Sequence, residues 1–110
     1  MQLLVMIVDK REDLDEIFEE FIKFGIKGVT VIDSYGAGNL LAGKMSILGR
    51  LNKMTTSNKK PNKMIFSIIE NPMKLERAME MAENIVGDLK EPDSATIFTI
   101  PLGIVKGLTN

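Results

Sequence analysis

Apolar residues run unbroken from Leu3 to Val8 and stop at Asp9-Lys10-Arg11-Glu12-Asp13. An apolar run this short, bounded by charge, predicts a first strand. Asp9 then stands where an N-cap belongs, with Glu12 three positions on as in a capping box. Leu14, Ile17, Phe18, Phe21 and Ile22 recur at i, i+3, i+4, i+7 and i+8, which predicts an amphipathic helix with carboxylates on its opposite face. Gly25 suits a left-handed stop. Gly28–Ser34, rich in β-branched residues, predicts a second strand, and Met64–Ile69 a third. Asn71-Pro72 supplies a cap and a first-turn proline for a second helix. Its apolar face is Leu75, Ala78, Met79, Ala82, Ile85 and Val86, and Gly87 ends it. A polar connector, Asp88 to Ser94, leads to a fourth strand at Ala95–Ile100, with Ile104-Val105 as a candidate short addition after Pro101 and Gly103.

The order β-α-β-β-α-β predicts an α+β, ferredoxin-like domain, a four-stranded antiparallel sheet with both helices on one face. One such domain accounts for residues 1–110. Strands one and three are apolar at nearly every position, whereas a monomer of this architecture needs only one apolar face per strand. Helices cover one face, so the other is expected to pack against copies of the chain. Between strands two and three lies an interval, 35–62, opened by Gly36-Ala37-Gly38 and closed by Ser57-Asn58-Lys59-Lys60-Pro61-Asn62. Intervals of this length in a compact domain tend to be functional or disordered. Within it Ile47, Leu48, Leu51 and Met54 have helical spacing.

Charge sharpens that picture. Of 14 basic residues, six (Lys44, Arg50, Lys53, Lys59, Lys60 and Lys63) lie between Ser34 and Lys63 with no acidic residue among them, leaving eight against all 15 carboxylates elsewhere. A positive island on an acidic body is suited to anions or to an acidic partner. Nucleic acid is a poorer fit, because the chain is acidic overall and has no aromatic strand pattern for stacking bases. Met45 and Met54 are the methionines placed to face a partner, while periodicity puts Met6, Met64 and Met79 in the core. The sequence has no Cys and no His, which removes disulfides, thiolate metal sites and the commonest general base. The N-terminal apolar run is short for a signal peptide and no run reaches membrane-spanning length, so the cytoplasm is the expected location.

Gly28-Val29-Thr30-Val31 followed by Gly36-Ala37-Gly38 resembles the G-x-T-V … G-x-G segment of PII signal-transduction proteins, the nitrogen regulatory superfamily. The Leu3–Val8 strand, the helix ending in Phe24-Gly25-Ile26-Lys27-Gly28 and the Thr96-Ile97-Phe98 strand fit the same pattern. The resemblance implies a homotrimer of ferredoxin-like subunits with adenine nucleotides between neighbours. It also implies an exposed loop that docks on a transporter or metabolic enzyme, so that any membrane association runs through that partner. Carried over by position, Gly28, Thr30, Gly36, Ala37, Gly38, Asn39 and Lys63 become the ligand residues, and Lys44, Arg50, Lys53, Lys59 and Lys60 the partner-binding cations. The effector candidates are ATP, ADP and AMP. The sequence departs from the family at Leu89-Lys90-Glu91-Pro92-Asp93-Ser94-Ala95-Thr96, where a glycine-rich T-G-x-x-G-D-G-K loop is usual. It departs again at Gly107 and Thr109, where an R-x-R pair is usual.

The expected function is therefore a ligand-responsive regulator, not an enzyme, whose effector is a small anion. Two alternatives stand beside it. A structural adaptor would carry the same fold without a small-molecule ligand. An acylphosphatase-like enzyme would need an arginine-containing phosphate cradle after the first strand, and here Lys10-Arg11 runs straight into Glu12-Asp13 without a glycine-rich turn.

Overall fold

A computed structural model describes residues 1–26, 28–34, 62–90 and 95–108. Six elements follow in the expected order: β1 (Gln2–Val8), α1 (Arg11–Lys23), β2 (Val29–Ser34), β3 (Asn62–Ile69), α2 (Pro72–Val86) and β4 (Ala95–Pro101). The strands form one antiparallel sheet in the order β2-β3-β1-β4, the ferredoxin-like arrangement. Ile104-Val105, expected as a further strand, lies outside any strand in the chain after β4; Leu102 N–H donates to the Met1 carbonyl at 3.2 Å instead.

Register assigns each strand residue to a face, because residues directly opposite share one. On one face the rows are Val29–Ser67–Leu4–Thr99, Val31–Ile65–Met6–Ile97 and Asp33–Lys63–Val8–Ala95. Leu4, Met6, Val8, Ile65 and Ile69 pack here with Leu14, Ile17 and Phe21 of α1 and Ala78, Met81, Ala82 and Val86 of α2. The opposite face holds Thr30–Phe66–Val5–Phe98, Ile32–Met64–Ile7–Thr96 and Ile68–Leu3–Ile100, with no element of the described chain over it. Val5, at its centre, is nonetheless only 4% exposed, because Phe66 and Phe98 flank it.

Several local expectations need correction. The N-cap of α1 is Lys10, in extended conformation and without a side-chain capping bond, so the Asp9/Glu12 capping box does not form the helix start. Ile22, expected on the buried face, is 76% exposed. At about 100° per residue it lies some 100° from the centre of the stripe that Leu14, Ile17 and Phe21 define, beyond the edge of the packed face. Met81 is buried although periodicity passed over it, since α1 closes on that flank of α2.

The helix ends behave as their residues dictate. Gly25 has φ 76°, its N–H donates to the Ile22 carbonyl at 3.1 Å and the Ile26 N–H to the Phe21 carbonyl at 2.9 Å. This is a Schellman closure, and it delivers Ile26 into the core. Asn71 caps α2 by accepting from the Met73 N–H at 2.8 Å, with Pro72 in the first turn.

Candidate functional site

Of the cations and glycines singled out from the sequence, Lys63 stands where the end of β2 pairs with the start of β3. There the last register pairs are Asp33↔Lys63 and Ser34↔Asn62. Gly36, Ala37, Gly38 and Asn39, like Lys44, Arg50, Lys53, Lys59 and Lys60, lie outside the described residues, as does the expected helical stretch from Ile47 to Met54. Gly28, Thr30 and Lys63 are described, and they are not neighbours in one subunit. Thr30 is exposed and shares the helix-free face with Phe66, while Lys63 is on the helix-covered face. Gly28 precedes β2, and its carbonyl accepts a 2.8 Å hydrogen bond from the buried Ser67 hydroxyl. That bond pins the entry of the edge strand to β3 and satisfies the buried Ser67 hydroxyl.

Lys63 does not stand as an isolated cation. Its Nζ donates to Oδ1 of Asp33, directly across the β2–β3 ladder. The lysine side chain is 27% exposed and the aspartate 58%, so the pair is open to solvent on the aspartate side. Beside it the Ser34 hydroxyl points at the Asn62 carbonyl at 3.4 Å. Together the two contacts join the strands where the chain leaves for, and returns from, the long interval. An exposed pair of this kind contributes at most about 1 kcal/mol to stability, so holding the fold together is not its main consequence.

Asp33 carries no motif signal. Its sign could be read only by pairing the two strand ends across the interval, since residue types alone do not reveal register. Nor does the connector before β4 substitute for a phosphate loop in what is described: Asp88 forms a local turn by accepting from the Lys90 N–H at 2.9 Å, and Glu91 to Ser94 lie outside the described residues. A separate cleft of about 640 Å³ opens between the helices, walled by Glu16, Glu19, Glu20, Phe24, Met81 and Ile85. None of the expected ligand residues lines it. Among the described residues, no cluster of His, Cys, Asp or Glu is arranged to hold a metal ion, and no helix is long and apolar enough to cross a membrane.

No protein-family model and no curated protein matches the sequence. Solved structures do match. Arabidopsis thaliana PII, in a crystal structure bound to citrate, superposes with a TM-score of 0.57 over 92% of this chain and 77% of its own, at 19% identity. The chain has the fold of a PII protein. At that identity the likeness is one of fold alone.

Proposed function

We propose that this chain is a PII-like regulatory protein that senses a small anion and acts on another protein, without catalysis of its own. The observation that carries this reading is the PII fold, which spans 92% of the chain. The helix-free sheet face supports assembly. Phe98, Ile100 and Ile32 are 39%, 43% and 46% exposed on the helix-free face, and burying what remains open contributes on the order of 1 kcal/mol each. Three copies meeting through this face form the proposed homotrimer. The effector sits between subunits beside Gly28, Thr30 and Gly36–Asn39, with Lys63 as a charge contact. The cations from Lys44 to Lys60 engage an acidic surface on the target, a transporter or a metabolic enzyme.

A carboxylate or phosphate effector suits the basic interval, and the PII protein cited above binds citrate. Citrate therefore joins ATP, ADP and AMP as a probe. Calorimetry of the intact protein with each of the four, repeated at raised salt, tests the reading. Saturable binding that weakens with salt is the expected result. Absence of binding by all four would favour the adaptor reading, in which the fold acts through its surface alone.

A further inference from the structure

We infer that Asp33 is an internal counter-ion that an anionic ligand must displace from Lys63, which makes the cross-strand pair an autoinhibitory contact. This rests on the proposed role of Lys63 in binding the effector. The ladder holds the two residues directly opposite, which keeps the carboxylate within reach of the ammonium. A tethered group of this kind has an effective concentration on the order of millimolar, which a free carboxylate or phosphate has to exceed or out-bond.

The surroundings favour exchange over a fixed structural pair. On the other side of Lys63 the register neighbour is Val8, which offers no charge to replace Asp33. The lysine is shielded but reachable, and Asp33 is more than half exposed, so it can rotate into water without leaving a buried charge behind. An anion on Lys63 would also repel the carboxylate from its present place. Occupancy would then be converted into loss of a cross-strand contact at the end of β2, one residue before the last register pair, Ser34↔Asn62. The ligand class is an anion whose carboxylate or phosphate oxygens bond an ammonium.

Citrate and ATP titrated by calorimetry into the wild type, Asp33→Asn, Lys63→Ala and the double variant test this. Removing the competitor should tighten binding about two- to fivefold, the fold-change equivalent of an exposed ion pair. The gain should vanish in the double variant, although the Asp33 negative charge is absent there too. Binding that appears only in Asp33→Asn would support the inference equally. Wild-type binding left unchanged by Asp33→Asn, or a gain that survives Lys63→Ala, would overturn the inference and leave the regulatory reading standing. No binding by wild type or Asp33→Asn would overturn both. Asp33→Ser serves the same comparison should the asparagine variant fold poorly.

Discussion

The two faces of the sheet are built from the same kinds of residue and meet different ends. On the helix-covered face Leu4, Met6 and Val8 are 1% exposed and Ile65 is fully buried. On the other, Val5 is buried only by its Phe66 and Phe98 neighbours, and Phe98 and Ile100 remain about two-fifths exposed. The difference lies not in hydrophobicity but in what the chain has available to lay over each face. Among the described residues, two helices cover one side of the four-stranded sheet and no element lies over the other. The homotrimer proposed above would cover this apolar surface with further copies of itself.

Substitutions in matching rows of the two faces should separate their roles. Ile65→Ala, in the covered core, should lower unfolding free energy by about 2–5 kcal/mol in urea titration, through lost burial and the cavity left behind. A loss well under 1 kcal/mol would mean that the core under α1 and α2 is looser than its packing implies. On the open face, Phe98→Glu should instead weaken association by about 2 kcal/mol, roughly thirtyfold, while circular dichroism stays native. Light scattering that gave the same mass for both proteins would show that this face is not the seam.

Smaller effects sharpen the contrast. Asn71→Ala removes the cap of α2 and should reduce stability by about 1 kcal/mol without changing assembly, because α2 serves the covered face. Loss of oligomer in that variant would tie the helix layer to the seam and break the separation of roles. The smallest effect is expected at Ile22. Ile22→Gln should change thermal stability by less than about 0.5 kcal/mol, since the residue is 76% exposed. A larger loss would place it in a contact with another chain.

These cases mark where sequence reading stopped. The element order was legible because strand runs and helical stripes are local, and the Gly25 stop and the Asn71 start are set by the conformations and hydrogen bonds that those residue types favour. Ile22 misled because a stripe of periodicity has no sharp edge until a neighbour defines how much of it is packed. Met81 was missed for the same reason from the other side. Asp9 met the capping pattern, yet the chain enters α1 at Lys10, so the composition of a turn did not fix the residue at which the helix begins. At the candidate site, Gly28, Thr30 and Lys63 were named from the resemblance to PII proteins. Their placement on different faces, and the partner of Lys63, depended on pairing strands separated by the long interval.

By itself, then, the sequence determined the periodicities: which segments extend, which coil, where α1 stops, where α2 starts and stops, and that β1 and β3 carry apolar side chains on both sides. Those properties follow from φ/ψ preferences and side-chain spacing within a few residues. Only the tertiary structure decided which alternate positions face the helices, because one residue of register exchanges the two faces. It also decided that the positive charge at Lys63 is already answered by Asp33. Charges 30 residues apart in the chain become partners when β2 and β3 lie side by side, and no local pattern encodes that proximity.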